Sequence, residues 1–294
     1  LYGPGTNSHP RSNALYTDFV TDLLREFPQI TAVQVWNEAN LVDFYNGTPA
    51  QMAKLTKDAA AAIKSVRPSV KVVAASTTVR PGGPPQKFGK AYGAAMKRAK
   101  AWRSVDVVSS HFYPPATEGP NTRVRYIARM KSWYRKYGAG RKPMWDTEVN
   151  YGDLRPNRRK VTYTGATAET YVARTYIDSM RYGVQRVFWY VWDANVLGTD
   201  MTRDGQITAG GQAFLEIRSW MSGKTWLGCR VKASVTTCRV AGAGGVESIV
   251  YAAKRKALRV PRGVRVVEFL NGTEQELAPG ARLVVTQQPV LLRG

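Results

Sequence analysis

From residue 14 to residue 221 one pattern repeats: a helical stretch, then a short β-branched or aromatic run, at intervals of about 35 to 45 residues. Neighbouring parallel strands cannot be joined by a tight turn and need a crossover, so this period predicts parallel β/α units. Five strands are expected: TAVQVWNE (31–38), VKVVAAST (70–77), VDVVSSHFYP (105–114), PMWDTEVNY (143–151) and QRVFWYVWD (185–193). Each is nearly continuous in hydrophobicity, as a strand buried on both faces should be. Helices are expected over 14–27, 49–66, 87–102, 123–138, 167–183 and 211–223, with apolar residues three and four apart. Gly138, Gly183 and Gly223 stand where the carboxyl caps would fall.

Beyond Gly223 the runs ESIVYAA, RVVEFL and ARLVVTQ alternate with turn signals, including Asn271-Gly272. The expected division is therefore a β/α domain over 1–222 and a small all-β domain over 223–294. Hydrophobic residues make up 44% and charged residues 22%, the balance of a soluble chain with a real core. No run approaches the roughly 18 apolar residues of a membrane span. The opening LYGPGTNSHPRSN reads as a loop leading into a helix, and since the first residue is Leu1, any targeting segment would lie upstream. Cys229 and Cys238 flank a short Val- and Thr-rich segment that suits a hairpin, so a disulfide between them is expected, which places the protein outside the cell or at its surface.

The formal charge is +22, from 43 Lys and Arg against 21 Asp and Glu. Its densest runs, RKYGAGRK (135–142) and RPNRRK (155–160), lack the interleaved aromatics of a single-strand binder, so the surplus reads as a solvated basic surface and not as a nucleic-acid site. An acidic glycan remains a partner that the charge would suit. The oligomeric state is not legible.

Chemistry is sought at the carboxyl ends of the strands, where parallel barrels place it. Glu38 ends the first strand directly after Trp36 and Asn37, so that an aromatic, an amide and a carboxylate could stack, hydrogen-bond and protonate a sugar at one edge. His111 and Tyr113 end the third strand, Glu148 the fourth, and Trp189 and Trp192 lie on the fifth. A lone Glu at a strand end is ordinarily solvated or paired with an arginine. Two of them at one mouth are the minimum equipment for cleaving a glycosidic bond. Trp189, Tyr190 and Trp192 read first as core filling, with Trp192, nearest the carboxyl end, the candidate for sugar stacking. There is no phosphate-cradling loop, dinucleotide fingerprint or HExxH motif, and with His9 and His111 the only histidines no multi-histidine metal site can form. No cofactor and no metal are expected.

VQVWNEANL (33–41) and the helix after it resemble the acid/base strand of clan A glycoside hydrolases, most closely family thirty-nine. SSHFYP (109–114), WDTEVNY (145–151) and VFWYVWD (187–193) resemble the clan's sixth, seventh and eighth strands, over about residues 1–222. The resemblance implies a (β/α)8 TIM barrel of which strands 4 to 8 are evident, followed by an accessory β-sandwich. It implies Glu38 as acid/base, Asn37 as donor to the substrate 2-hydroxyl, Glu148 as nucleophile, Tyr113 as its hydrogen-bond partner, His111 as a subsite residue and Trp192 as the sugar platform. A retaining pair should stand about 5–5.5 Å apart. Ala39 replaces the usual Pro after the acid/base. Three β/α units are missing at the amino end, so the chain is expected to be a fragment of a longer product or to receive those strands from elsewhere. The reading is a retaining glycoside hydrolase on an oligo- or polysaccharide. The alternative is a catalytically impaired carbohydrate-binding or anionic-polysaccharide-binding protein.

Overall fold

Each of the five expected strands is present, and each is shorter than its apolar run. The computed structural model describes residues 7–79, 82–193 and 196–294, so the first six residues of the expected opening loop lie outside it. The chain forms two compact units, one of Leu1–Tyr113, Arg125–Val149 and Val184–Phe188, the other of Pro114–Val124, Asn150–Gly183 and Trp189–Gly294.

In the first unit β1 (Ala32–Gln34) pairs in parallel with β2 (Lys71–Val73), and Val73 bridges Val107. Three residues further on, β3 (Thr77–Thr78) pairs in parallel with β4 (Val108–His111), so β2 and β3 are one interrupted strand. Then come β5 (Met144–Val149), parallel to β4, and β6 (Val184–Trp189) beside β5. The strands thus lie side by side in chain order, as successive β/α crossovers of one hand place them.

The helices are α1 (Asn13–Glu26), α2 (Pro49–Val66), α3 (Gly83–Arg98) and α4 (Pro120–Lys136). α2 begins where its sequence dictates. The Thr48 side chain accepts from the Gln51 amide, the Gln51 side chain accepts from the Thr48 amide, and Pro49 supplies a first residue whose missing N–H costs nothing there. Its Met52, Leu55, Ala59 and Ile63 recur at three and four residues and are fully buried, each large one contributing roughly 1.5–3 kcal/mol. α1 buries Val20 and Leu24 but leaves Leu15 and Phe19 about half exposed. An open cavity of about 520 Å³ lies against β1 and β5, lined by Ile30, Ala32, Val73, Trp145 and Phe188 among others.

The second unit contains α5 (Gly165–Arg181), the hairpin of β7 (Thr202–Arg203) and β8 (Gln206–Ile207), α6 (Ala209–Met221), and eight strands. These are β9 (Thr225–Lys232), β10 (Val235–Gly242), β11 (Gly245–Ala252), β12 (Lys256–Arg259), β13 (Val266–Glu268), β14 (Glu274–Glu276), β15 (Arg282–Val285) and β16 (Val290–Arg293). Six of them form a sheet in the order β14-β13-β16-β11-β10-β9, and β12 pairs with β15. Side chains alternate between its faces. Cys238, Val240, Ile249 and Leu291 pack on α5 and α6, while Val250 and Leu292 join Val260, Val267, Leu283 and Val285 in a second core. Tyr251 donates to Asp178 at 2.7 Å with the Arg174 guanidinium over its ring.

The expected disulfide is present. Cys229 and Cys238 are direct cross-strand partners on β9 and β10, which are joined through Ala233 and Ser234, both left-handed. Gly138, Gly183 and Gly223 all have positive φ just past a helix end, as expected of caps. Among the described residues no helix is long and apolar enough to cross a membrane.

Candidate active site

The end of β1 is shaped by one serine on the neighbouring strand. Ser76 is fully buried in the break between β2 and β3. Its amide donates to the Trp36 carbonyl, its hydroxyl accepts the Glu38 N–H at 2.9 Å, and its carbonyl accepts the Ala39 N–H at 2.9 Å. Held this way, Glu38 adopts φ 38°, a left-handed conformation uncommon for a residue with a Cβ and kept only where the surrounding structure holds it. Ala39 is itself fully buried, so the N–H that a proline would lack is put to use. Asn40 continues the grip by pairing both its amide atoms with the backbone of Thr78 at 2.9 Å.

Glu148 reaches the same place through a bulge. Ser110 stands opposite Asp146, but the register then slips, and His111 faces Glu148 instead of Thr147. An extra residue in one strand re-aims the side chain after it. β4 is buried along its whole length, and its two serines are satisfied: Ser109 donates to the Ala74 carbonyl and Ser110 meets the Tyr134 hydroxyl. Asp146, also buried, takes the Phe112 N–H at 3.2 Å and fixes the chain between His111 and Tyr113.

The result is a close set of three side chains. His111 Nδ1 lies 2.9 Å from Glu38 Oε1 and 3.8 Å from Glu148 Oε2. One ligand-type atom from each of Glu38, His111 and Glu148 lies within 4.8 Å of the others, so this is also the set that could hold a cation. Glu38 is 6% exposed and His111 is 1% exposed, while the Glu148 side chain keeps 23% of its surface open. Tyr113 donates to Glu148 Oε1 at 2.7 Å. Burial, and then the Glu148 carboxylate beside it, push the Tyr113 phenol far above its ordinary range, so it remains a neutral donor.

Of the residues singled out in the sequence, Glu38, His111, Tyr113 and Glu148 are brought together, with Asn37 adjoining at the Ser76 hydroxyl. Trp36 is placed otherwise: its ring packs against Tyr16 and Tyr45 and its N–H donates to the Phe44 carbonyl. Trp189 and Trp192 belong to the second unit. There Trp189 packs against the core of α5 and α6, and Trp192, 43% exposed, meets Phe214 edge-on. Sequence reasoning missed Ser76, Asn40 and Asp146. Asn40 and Asp146 each stand two residues from a catalytic candidate, and that proximity is the only signal they gave.

A family model described as the glycosyl hydrolase catalytic core matches residues 3–214, and the chain belongs to that family. No curated protein matches it. Solved structures of similar fold are TIM-barrel glycoside hydrolases. A family thirty-nine glycoside hydrolase from Bacteroides cellulosilyticus WH2 is 17% identical with a TM-score of 0.73, over 97% of this chain and 62% of the other. A family thirty-nine β-xylosidase from Caulobacter crescentus is 17% identical with a TM-score of 0.66, over 98% and 73%. A family thirty endoxylanase from Clostridium papyrosolvens C71 is 17% identical with a TM-score of 0.63, over 97% and 71%. The chain thus spans about three-fifths of the length of the first of these.

Proposed function

We propose that the chain is the catalytic core of a retaining glycoside hydrolase in which Glu38 is the acid/base and Glu148 the nucleophile. The observation that carries this reading is the pair of carboxylates that both approach His111 Nδ1, with oxygens within 4.8 Å of each other. A retaining pair stands about 5–5.5 Å apart, whereas an inverting pair needs about 6.5–9.5 Å to admit a water. His111 occupies Glu38 Oε1, which leaves Oε2 to protonate the leaving oxygen. Tyr113 occupies Glu148 Oε1, which leaves Oε2 to attack the anomeric carbon. When the glycosyl ester has formed, Glu38 has given up its proton and can take one from the incoming water.

In this proposal Asn37 binds the substrate 2-hydroxyl, His111 lines the subsite, and the exposed ring of Trp192 is the sugar platform. The five strands correspond to strands 4 to 8 of a (β/α)8 barrel over residues 1–222, with 223–294 as an accessory β-sandwich. The open cavity at β1 and the exposed Leu15 and Phe19 are what such a barrel would leave where its first strands stand. The substrate is an oligo- or polysaccharide, met outside the cell or at its surface. That same open cavity is the observation favouring the second reading, a carbohydrate-binding protein without turnover.

The test is a panel of aryl glycosides with the anomer of the product followed by proton NMR. Product of retained configuration, lost in Glu148→Ala and replaced by an inverted glycosyl azide when azide is added, supports the proposal. Inverted hydrolysis product refutes it. Sugar binding without turnover by the wild type establishes the second reading.

A further inference from the structure

The second unit carries a groove of about 760 Å³ on the face of its six-stranded sheet turned away from α5 and α6. Its walls follow from register. Arg230 on β9 stands opposite Thr237 on β10, which stands opposite Val250 on β11. Lys232 stands opposite Val235, and Arg239 opposite Ser248. Because side chains alternate along a strand, these residues share one face, and Lys256 and Arg259 of β12 close the other wall.

Five cationic side chains therefore converge on one concavity, and all five are exposed. No carboxylate lies among the lining residues, and among the described residues none of the five forms an ion pair. Lys256 and Arg259 spend one donor each on a backbone carbonyl, of Ala233 and Gly280, which fixes them at the rim. Unneutralised like charges held together by a rigid sheet repel one another, and an anionic ligand removes that cost. The floor of Val235, Val250, Leu258 and Leu292 is apolar, the lining contains no aromatic side chain, and the volume is that of a ligand cleft.

That chemistry selects among anions. A single-stranded nucleic acid wants aromatic platforms for its bases, and there are none. A bilayer surface cannot follow a concave wall. A neutral sugar has no ring to stack on. We propose that this groove binds an acidic polysaccharide, carboxylated or sulfated, through Arg230, Lys232, Arg239, Lys256 and Arg259. The site goes beyond the proposed glycosidase and does not depend on it, since every residue in it lies outside Glu38, His111 and Glu148.

The experiment measures binding of the full chain to polygalacturonate, dextran sulfate, uncharged dextran and an oligothymidylate. Two charge-matched triple variants are compared: Arg230→Gln, Arg239→Gln and Lys256→Gln in the groove, and Lys57→Gln, Lys97→Gln and Lys100→Gln on exposed surface of the first unit. The expected result is binding to one or both acidic polymers and none to dextran, with a loss of roughly tenfold or more in the groove variant and about twofold or less in the control. Which acidic polymer binds better distinguishes carboxylate from sulfate. Equal losses in the two variants, equal binding of dextran, or tighter binding of the oligothymidylate would overturn the proposal. Should the triple variant lose its thermal transition, Arg239→Gln alone decides by the same criteria.

Discussion

Replacing Ser76 by Ala removes a single oxygen from beneath the acid/base candidate. That oxygen accepts the Glu38 N–H at 2.9 Å and the Gln34 side-chain amide at 3.3 Å, in a residue with no exposed surface. A buried N–H left without an acceptor costs about 1–3 kcal/mol. The left-handed backbone at Glu38 adds roughly 1–2 kcal/mol that its surroundings must already offset. The Ala39 N–H still reaches the Ser76 carbonyl, so the turn loses one of two anchors and the chain should remain folded. Urea denaturation should show a loss of about 1–3 kcal/mol with an unchanged m-value. Turnover should fall further than stability implies, because Glu38 Oε1 must stay within hydrogen-bond reach of His111. Ser76→Thr, which keeps the oxygen, should restore turnover more than stability, since its methyl has to fit a filled core. If Ser76→Ala changes neither the denaturation midpoint nor turnover, the serine does not hold Glu38 and the account of this strand end is wrong.

Tyr113→Phe deletes one hydrogen bond to a carboxylate and nothing else, so kcat should drop about 10- to 100-fold while KM and thermal stability stay near those of the wild type. Breaking the Cys229–Cys238 bridge, with Cys238→Ala and Cys229→Ala together, should cost about 2.7 kcal/mol of stability by chain entropy for so short a loop, read by denaturation with and without reductant. The Tyr251 phenol is pushed up to about 12 by burial and then by the neighbouring Asp178. The folded chain therefore keeps a proton that the unfolded chain releases near its ordinary value of 10.0, so stability should be level below about pH 10 and fall, by on the order of 3 kcal/mol, as pH rises from 10 to 12. A Tyr251→Phe chain whose alkaline unfolding is as steep as that of the wild type would contradict this.

Local chemistry was the most legible part of the sequence. α2 runs over the expected residues because Thr48, Pro49 and Gln51 form a complete start signal that needs no tertiary partner. The hairpin bridge was legible for the same reason, its two cysteines lying nine residues apart. What depends on two distant strands was not. Ser76 meets Glu38 across 38 residues, and neither its type nor its neighbours mark it. The slip that brings Glu148 opposite His111 is a property of the β4–β5 pair and leaves no pattern in either strand alone. Trp36 illustrates the limit from the other side. Its adjacency to Asn37 and Glu38 suggested a shared edge, but the left-handed turn at Glu38 breaks the alternation of the strand, and the indole is taken up by Tyr16 and Tyr45.

The central claim, that Glu148 attacks a sugar, is tested most directly by intact mass spectrometry after incubation with a panel of 2-deoxy-2-fluoro-glycosyl fluorides. The 2-fluorine slows both formation and breakdown of the glycosyl ester, and the good fluoride leaving group offsets this for formation alone, so the ester accumulates. The account predicts a mass gain of one fluorosugar on the wild-type chain, located on the peptide containing Glu148 and absent from Glu148→Gln. An adduct on any other residue, or one that persists in Glu148→Gln, would contradict it.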